Sequence, residues 1–526
     1  MKLELSPMRR LPKLFLLAVA LAAFCASPAT AKLTPTITEF PASNPISAES
    51  GPNAIAAGPD GALWFIDPYA NRVGRITTEG TLTLQAPIPG ASFEYDITAG
   101  PDGAMWFVSQ GPSQVGRVDT AGNILTKDFA DPIANPTKIV SGPENALWIG
   151  EAAAGAIGRV PASTPLQTPD ESRTTSGGPT DLAVGPDGNL WFTEYNESEV
   201  GRMSPAGDVT YFPLPSGIKN PEMITAGPDG ALWYWTLNPG TIVRMSADAL
   251  QQPFALPEAP FGEITTGPDG ALWIADFDQI MRVTVDGVAE EFPLQDKNAG
   301  ALGITAGPDG NVWFTEGNAG LIGRITTPPN TKTGALEKAG AKSITVSGAV
   351  SGHSQPTTVT VEYGTAAGGP TQASQPLQLA PSAAEQPVSI AVAGLAPKTS
   401  YRYRLVASNP TGATPGAFAE GSTTALPRCK VKRAKQGKNG SIKLTLKCSS
   451  STSVRAKATA GKKLYGKGRA KVRKGKATLR IEPTKKARVR LEQTGRLKVR
   501  VAIKAIGGGT STPLRKSIRV KQRPTL

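Results

Sequence analysis

The chain of 526 residues contains a single histidine and few long apolar runs. After residue 31, no stretch is apolar enough to cross a membrane. The 3.6-residue apolar stripes of amphipathic helices are also missing, which excludes helical bundles and helical solenoids. Histidine is the side chain best suited to proton transfer near neutral pH, so a catalytic site with several histidines is excluded as well.

The one marked apolar run lies at the start of the chain. A basic segment precedes apolar residues 14–24, and residues 29–31 read Ala-Thr-Ala, which is a small-x-small cleavage sequence. This pattern predicts a signal peptide over 1–31, removed after Ala31, and a mature protein that is secreted or associated with the cell envelope. The alternative is a lipoprotein anchor at Cys25, which the preceding Phe24 disfavours.

Cysteine is scarce, with three residues in the chain, and Cys25 would leave with the signal peptide. Cys429 and Cys448 remain as a pair in an oxidising compartment, which predicts a disulfide between them. A metal site with two cysteine ligands is the alternative, and no histidine lies nearby to complete it.

The net charge of +14 conceals two regions of opposite sign. Residues 33–330 hold 13 Lys and Arg against 35 Asp and Glu, a balance of −22. Residues 428–526 hold 32 basic against 2 acidic residues, a balance of +30. The acidic body and the basic tail therefore have to be interpreted separately.

The acidic body repeats one phrase. GPDGALWF at 58–65 recurs with small changes at 100–107, 185–192, 227–234, 267–274 and 307–314, and as GPENALWI at 142–149. The seven tryptophans are 42, 42, 43, 42, 40 and 40 residues apart. They are Trp64, Trp106, Trp148, Trp191, Trp233, Trp273 and Trp313. A period near forty with short alternating runs predicts the blades of a seven-bladed β-propeller, about four strands each.

The phrase itself has the chemistry of a β-hairpin. Residues 54–58 form a predicted inner strand, PDG its turn, and 62–67 the second strand, with Trp64 between blades. The last repeat stops after its third strand. Residues 36–40 (TITEF) supply a spare strand, so we expect the start of the chain to complete blade seven and remove both free edges.

Charged residues also recur once per repeat. The arginines are Arg75, Arg117, Arg159, Arg202, Arg244, Arg282 and Arg324. We interpret them as ion-pair partners of an acid in the hairpin or in a neighbouring blade, with a ligand-binding crown as the alternative. Acids follow the tryptophan in five repeats and are predicted to pair with these arginines. They are Asp67, Glu151, Glu194, Asp276 and Glu316.

The combination of GPDG-x-WFTE hairpins with IGRIT strands resembles the streptogramin (virginiamycin B) lyase family of seven-bladed propellers over about 33–330. This resemblance implies an elimination that opens an ester in a cyclic streptogramin, with Mg²⁺, two histidines, a glutamate and a tyrosine. In this sequence Asn53 stands in the position of the tyrosine, Gly262 and Leu302 in those of the histidines, and Glu316 in that of the glutamate. The resemblance therefore implies a propeller that has lost most of the catalytic groups.

Variable positions on the inner strands offer a different candidate site. Residues that repeat in register point alike toward the axis, and one such set reads Ala54, Asp96, Lys138, Asp181, Met223, Glu263 and Gly303. The set before it includes Tyr95 and Glu222. We name Asp96, Asp181, Glu222, Glu263 and Glu316 as candidate ligand-binding residues, because oxygen-rich clusters suit Mg²⁺, Ca²⁺ or a cationic ligand. The alternative is a solvated funnel of surface acids.

Two further domains are predicted downstream. Residues 326–334 read as a linker, and 331–426 contain alternating strands that resemble a fibronectin type III domain, with Leu395 and Tyr401 at the spacing of its tyrosine corner. His353 falls in a loop of this domain and is interpreted as catalytically inert.

The tail, 427–526, alternates apolar and basic residues and predicts a small antiparallel β-sandwich with a cationic surface. Ile442, Leu444 and Leu446 are expected inside, with Cys429 and Cys448 on the same side; disorder is the alternative. With one aromatic residue, Tyr465, the tail is poorly suited to stack on nucleic-acid bases. Anionic cell-wall polymers or membrane surfaces are the expected partners.

The sequence thus predicts an all-β chain with a signal peptide at 1–31, a seven-bladed propeller at 32–330, and two small β-sandwiches at 331–426 and 427–526. Its predicted function is that of a non-catalytic, ligand-binding relative of the streptogramin lyases, held at anionic surfaces by the tail. The alternative is an enzyme, either a Mg²⁺-dependent carbon–oxygen lyase or a metal-dependent hydrolase.

Overall fold

The computed structural model describes residues 33–521 except 43–50, 89, 91, 131–133, 164–165, 170, 450–451, 474 and 507–513. The predicted signal peptide and the alternative anchor at Cys25 lie outside the described residues. The described part is all β apart from two single turns of 3₁₀ helix and one α-helix, and it contains no helix long and apolar enough to span a bilayer.

The first 28 strands form seven four-stranded antiparallel sheets within the described residues. The opening strand β1 spans Ile37–Pro41. Blade one contains β2–β5 at Ile55–Ala57, Leu63–Asp67, Arg72–Ile76 and Leu82–Pro87. Blade two contains β6–β9 at Ser92–Ala99, Met105–Gly111, Ser113–Val118 and Ile124–Asp128. Blade three contains β10–β13 at Pro136–Gly142, Ala146–Glu151, Ala156–Pro161 and Glu171–Thr174.

The remaining blades follow the same order from inner to outer strand. Blade four contains β14–β17 at Asp181–Val184, Leu190–Glu194, Glu199–Met203 and Val209–Pro213. Blade five contains β18–β21 at Lys219–Ala226, Leu232–Asn238, Thr241–Met245 and Gln251–Ala255. Blade six contains β22–β25 at Ile264–Thr266, Leu272–Asp276, Gln279–Val283 and Ala289–Pro293. Blade seven contains β26–β28 at Ala301–Ala306, Val312–Glu316 and Leu321–Ile325.

The blades close into a ring. Each inner strand contacts the inner strand of the next blade, and β26 of blade seven contacts β2 of blade one. The fourth strand of blade seven is β1, which pairs with β28 from Ile37↔Ile325 to Pro41↔Leu321. The predicted completion of the last blade by the start of the chain is therefore confirmed.

One aspartate in each PDG turn organises its blade. Asp60 Oδ1 accepts hydrogen bonds from the Ala62 N–H at 3.3 Å and from Trp64 Nε1 at 3.1 Å, and Asp60 Oδ2 accepts from Arg75 Nε at 2.6 Å. Trp64 is fully buried, so this carboxylate satisfies an indole N–H that water cannot reach. Blades two, five and six repeat the arrangement with Asp102, Asp229 and Asp269.

The predicted ion pair between the blade arginine and an acid of its own hairpin is confirmed in these blades. Blade three uses Glu144 for the pair, and the guanidinium of Arg202 in blade four lies over the rings of Trp191 and Phe212, at 5.5 Å from each centroid. The prediction that the acids after the tryptophan pair with these arginines is wrong. Those acids are the last residues of the second strands, at the opposite end from the PDG turn, where Asp67 accepts from the Gly51 N–H and Glu194 from the Gly177 N–H.

A two-sheet unit, which we call the middle unit, follows the ring. One sheet contains β29, β30 and β34 at Asn330–Ala339, Ser343–Ser351 and Gln386–Ala393. The other is centred on β31 and β35, at Thr357–Thr365 and Ser400–Ser408. Its shorter strands are β32, β33, β36 and β37, at Gln372–Ala373, Leu377–Leu379, Ala413–Pro415 and Ala419–Ser422. The predicted linker over 326–334 is wrong beyond residue 329, because β29 already pairs with β30 from Asn330 onward.

The expected corner in the middle unit is present. The hydroxyl of Tyr401 accepts a hydrogen bond from the Ala396 N–H at 2.8 Å, and both Leu395 and Tyr401 are buried in the core between the two sheets. This contact is the one that a tyrosine corner requires.

The C-terminal unit also has two sheets, of three and four strands. The first contains β38, β39 and β42 at Cys429–Gln436, Ile442–Cys448 and Lys476–Ile481. The second contains β40, β41, β43 and β44 at Ser453–Ala460, Lys463–Lys471, Arg496–Ile506 and Leu514–Lys521. The predicted inward residues Ile442, Leu444 and Leu446 are fully buried, and Cys429 is disulfide-bonded to Cys448 as expected.

Sequence alternation did not predict the helix α1, Lys485–Thr494. Thr484 caps it by accepting a hydrogen bond from the Ala487 N–H at 3.2 Å, and Gly495 ends it in the left-handed conformation, with φ of 64°. Ala487 and Leu491, one helical turn apart, are its buried residues. Two apolar positions were too weak a signal within a segment otherwise dominated by alternating strands.

Candidate functional site

The ring has two unlike ends. In each antiparallel blade the PDG turns lie at one end, which we call the lower face, and the connections into each inner strand lie at the other, the upper face. The middle unit packs on the lower face. Ser354 Oγ of the middle unit donates to the Asp309 carbonyl at 2.7 Å, and Thr327 Oγ1, in the segment that joins the ring to the unit, donates to the Gly310 carbonyl at 2.7 Å. The upper face lies at the far end from these contacts.

His353 takes part in the contact at the lower face. It is 2% exposed, and its Nδ1 lies 2.7 Å from Thr327 Oγ1. Burial lowers the pKa of the imidazole, which favours the neutral ring. The single histidine is thus a packing residue at the opposite end from the candidate site.

At the upper end of the axis, acidic side chains from three blades converge on a lysine of a fourth. Lys138 Nζ of blade three lies 2.6 Å from Glu263 Oε1 of blade six, 3.5 Å from Asp96 Oδ1 of blade two and 3.7 Å from Asp181 Oδ1 of blade four. Three of the five predicted site residues are thereby brought together. Lys138 was not among the predicted site residues, although it is the one basic residue in the repeated axial set.

The two aspartates of this central cluster also join neighbouring blades. Asp96 Oδ2 accepts a hydrogen bond from the Ile139 N–H at 2.8 Å, and Asp181 Oδ2 accepts from the Ile224 N–H at 2.7 Å. Each carboxylate therefore presents one oxygen to the next inner strand and the other to the lysine. Asp96 and Asp181 are both 3% exposed.

Burial and charge oppose each other within the central cluster. Burial raises the pKa of Asp96 and of Asp181, while the Lys138 ammonium acts in the other direction. For Lys138 itself, burial favours the neutral amine, but Asp96, Glu263 and Asp181 outweigh it and hold the pKa well above its ordinary value. Lys138 is therefore charged throughout the physiological range.

Glu222 lies at the edge of this cluster, half-buried. Burial, and then the charge of Asp181, raises the pKa of Glu222 to about 7. In the described part of the chain, no cation or hydrogen-bond donor pairs with its carboxylate. The pKa of the neighbouring Tyr95 is also raised, by burial first and then by Asp96 and Glu263.

Exposed apolar side chains also lie on the upper face. Tyr69 is 78% exposed and Phe261 60% exposed, and Phe261 meets Phe277 edge to face with ring centroids 5.9 Å apart. Tyr95 and Leu237 complete this group, which we call the upper rim. Exposed aromatic side chains around a charged centre are typical of a ligand-binding surface.

Glu316, the fifth predicted site residue, does not join the cluster. It is 1% exposed, and both of its carboxylate oxygens lack a hydrogen-bond partner among the described residues. Burial, followed by the charges of Glu39 and Asp296, raises the pKa of Glu316 to about 7. Its charged neighbours thus lie in β1, which completes blade seven, and in the connection from blade six to blade seven.

Gly262, one of the two positions that the resemblance assigns to histidines, is closely packed. A Cβ atom on Gly262 would lie 2.6 Å from the Leu302 carbonyl oxygen and 2.9 Å from that of Ala275. The Leu302 carbonyl in turn accepts from the Glu263 N–H at 2.8 Å. A side chain at 262 could not enter without moving backbone atoms.

Comparison with known proteins identifies the family of this ring. The model of the Virginiamycin B lyase family matches residues 31–170 and 166–359, more than half of the chain. The chain belongs to the Virginiamycin B lyase family. None of the curated proteins compared with the chain matches it.

Solved lyase structures match about half of this chain over nearly their whole length. Selenomethionine-substituted virginiamycin B lyase from Staphylococcus aureus is 28% identical, with a TM-score of 0.51 over 56% of this chain and 100% of the lyase. A catalytically inactive histidine-to-alanine variant of the same enzyme, solved with quinupristin, matches with the same values. A streptogramin B lyase structure is 27% identical, with a TM-score of 0.51 over 56% of this chain and 97% of the lyase. Because the match takes in 97–100% of these lyases but 56% of this chain, the rest of the chain has no counterpart in them.

The residues at the centre do not fit the Mg²⁺ that the family resemblance implies. Within the described residues, no group of three or more His, Cys, Asp or Glu side chains is arranged to hold a metal ion. The three carboxylates that do converge have the Lys138 ammonium among them. A divalent cation at that point would meet a positive charge at contact distance.

Proposed function

We propose that this protein is a non-catalytic, ligand-binding member of the Virginiamycin B lyase family that is secreted and held at an anionic surface of the cell envelope. The main observation in favour of a non-catalytic ring is the close packing around Gly262. A histidine there would need space that the Leu302 and Ala275 carbonyls occupy. Elimination by the family chemistry would then lack a general base, whose assistance is worth roughly 10²–10⁴-fold in rate.

The upper rim and Glu222 support a binding role for the ring. The exposed rings of Tyr69, Phe261 and Phe277 offer apolar contact on the upper face, and Glu222, at the same end of the ring, offers an unpaired carboxylate. A ligand with a cationic group next to apolar groups fits this surface, because the cation would pair with Glu222 while the rings cover the rest.

The C-terminal unit supports attachment to a polyanion. Its exposed basic side chains stand directly opposite one another on neighbouring strands. The first sheet has the rows Lys430–Lys447–Lys476 and Lys435–Lys443–Arg480, and the second has the row Arg469–Arg455–Lys504. Like charges in direct cross-strand pairs repel, with strands about 5 Å apart, so an anionic partner would relieve a cost built into the fold.

Lyase activity is tested with the full chain, quinupristin and excess Mg²⁺, following loss of the cyclic compound by chromatography. We expect quinupristin to remain intact. Ring opening at the rate of an enzyme, abolished by Glu316→Gln, would establish the lyase and overturn the proposal.

Binding at the upper rim is tested separately by calorimetry with quinupristin as the probe. Glu222→Gln should weaken binding about tenfold or more, the effect of losing one buried charge-assisted contact. Glu291→Gln, on an outer strand, is the matched control. Equal affinities for the two variants would remove Glu222 from the site.

Attachment through the tail is tested by comparing the full chain with a chain that ends at residue 426. The full chain should bind isolated anionic wall polymer and anionic lipid vesicles at low salt and dissociate as added salt shortens the screening length toward about 3 Å at 1 M. The shortened chain should bind neither. Retention of the full chain in molar salt would contradict a purely electrostatic attachment.

A buried carboxylate favours one second candidate, a carbon–oxygen lyase or hydrolase that uses Glu316. With its pKa raised to about 7 by burial, Glu316 could accept a proton near neutral pH. The same Glu316→Gln experiment decides this candidate.

A further inference from the structure

The central cluster explains how an acidic axis can exist without a metal ion. An ammonium group has three N–H donors. Around Lys138 Nζ lie three carboxylate oxygens from three other blades: Asp96 Oδ1, Asp181 Oδ1 and Glu263 Oε1. One cation therefore faces one oxygen for each of its donors.

The remaining oxygens of the two aspartates are already engaged. Their Oδ2 atoms accept hydrogen bonds from the Ile139 and Ile224 N–H groups. These bonds orient the Oδ1 atoms toward the lysine. Asp181 Oδ1 is buried without a hydrogen bond in the described residues, so the ammonium at 3.7 Å is its charge partner.

We propose that Lys138 is a built-in cation that replaces a divalent ion at the centre of the ring and holds blades two, three, four and six together. The charge comes from the chain itself, so the centre is independent of metal. The lysine also takes the position where the carboxylates could otherwise gather around an ion. This inference concerns the ring alone and does not depend on which ligand binds the upper rim.

The role of the Lys138 charge can be tested by removing it. In a Lys138→Met chain, three carboxylates would face one another with two of them almost completely buried. Such groups must either take up protons or recruit a cation. Their oxygens are hard ligands, which suit Ca²⁺ or Mg²⁺ with water completing the coordination.

The test is thermal unfolding of the full chain, followed by tryptophan fluorescence in EDTA and in millimolar CaCl₂ or MgCl₂. We expect the wild-type chain and Lys138→Arg to unfold at temperatures that the metals do not change. Lys138→Met should unfold at a lower temperature in EDTA and gain about 5 °C at a Ca²⁺ concentration of about one hundred times its dissociation constant. The double variant Lys138→Met/Glu263→Gln should lose most of this gain.

Several outcomes would overturn the inference. One is a wild-type chain that metal stabilises as much as it stabilises Lys138→Met. Another is a Lys138→Met chain that metal does not stabilise, or that is unfolded both in EDTA and with metal. In either case a metal ion does not substitute for the Lys138 ammonium. Calorimetry of the wild-type chain with CaCl₂ gives an independent reading, since saturable one-to-one binding that Glu263→Gln abolishes would place a metal site where the lysine should be.

Discussion

The aspartate of a Pro-Asp-Gly turn contributes to stability by an amount that a single substitution can measure. Asp102 of blade two accepts from Trp106 Nε1 at 2.9 Å and from Arg117 Nε at 2.7 Å, and Trp106 is fully buried. In Asp102→Ala the indole N–H would be left without an acceptor, which costs about 1–3 kcal/mol. The ion pair is partly exposed and adds at most about 1 kcal/mol. We therefore expect a loss of about 2–3 kcal/mol.

The chain contains its own control for this prediction. In blade three Trp148 Nε1 donates to the Pro143 carbonyl at 3.3 Å, and Glu144 pairs with Arg159 through a half-exposed side chain. Glu144→Gln therefore leaves the indole satisfied and should cost less than about 0.5 kcal/mol. Asp102→Asn keeps an acceptor for Trp106 and should lie between the two.

All eight tryptophans belong to the ring, at positions 64–313, so intrinsic fluorescence reports its unfolding without interference from the other units. Asp102→Ala should lower the melting temperature of the ring by about 5 °C or more, on the scale of about 2–4 °C per kcal/mol for large domains. If Asp102→Ala and Glu144→Gln have equal effects, the indole hydrogen bond does not carry the stability assigned to it.

Three further predictions follow from single contacts. Burial raises the pKa of Glu316 from 4.5 to about 7, so the stability linked to its neutral form is complete below pH 4.5 and is lost as the pH rises toward 7. Glu316→Gln should therefore stabilise the ring by up to about 3 kcal/mol at pH 8 and should have no effect at pH 4. Equal melting curves for the two chains at pH 8 would contradict this. Phe40→Ala removes a ring whose centroid lies 5.4 Å from that of Trp313, and Phe254→Ala removes one 5.7 Å from that of Trp233; each should lower the free energy of unfolding by about 2 kcal/mol. Only Phe40→Ala should speed amide exchange in β28, which pairs with β1. Unchanged exchange in β28 would argue against closure of the ring by β1. Replacing Cys429 and Cys448 together by Ser should destabilise the C-terminal unit by about 3 kcal/mol, measured by unfolding followed with circular dichroism. The unfolding of the ring, followed by tryptophan fluorescence, should not change; a shift would mean that the ring depends on that unit.

The architecture of the ring was predictable from the sequence because its signals are local. The turn and the strand that follows occupy eight consecutive residues, and six Pro-Asp-Gly copies with the altered GPENALWI specify seven hairpins. The sequence likewise shows that the last repeat has no outer strand and that 36–40 form a strand that belongs to no repeat. The alternation that buries Ile442, Leu444 and Leu446 is local too, and it predicted their burial correctly.

The candidate site was predictable only as a set of positions. The register of the repeats placed Asp96, Asp181 and Glu263 at the axis, but the sequence could not identify the cation that would pair with them. Lys138 is 42 residues from Asp96, 43 from Asp181 and 125 from Glu263. Glu316 shows the opposite error, since resemblance placed it with the axial acids and packing placed it beside Glu39 and Asp296.

The sequence by itself determined the number of blades, the turn chemistry and the alternation of the tail, because each depends on residues a few positions apart. The tertiary structure decided which charges meet: Lys138 with three carboxylates at the axis, Arg75 with the turn aspartate rather than the acid after the tryptophan, and His353 with Thr327 at the lower face. It also decided that Gly262 has no room for a histidine. The physical reason is that distances between residues on different blades depend on ring closure, and no local pattern in the chain encodes them.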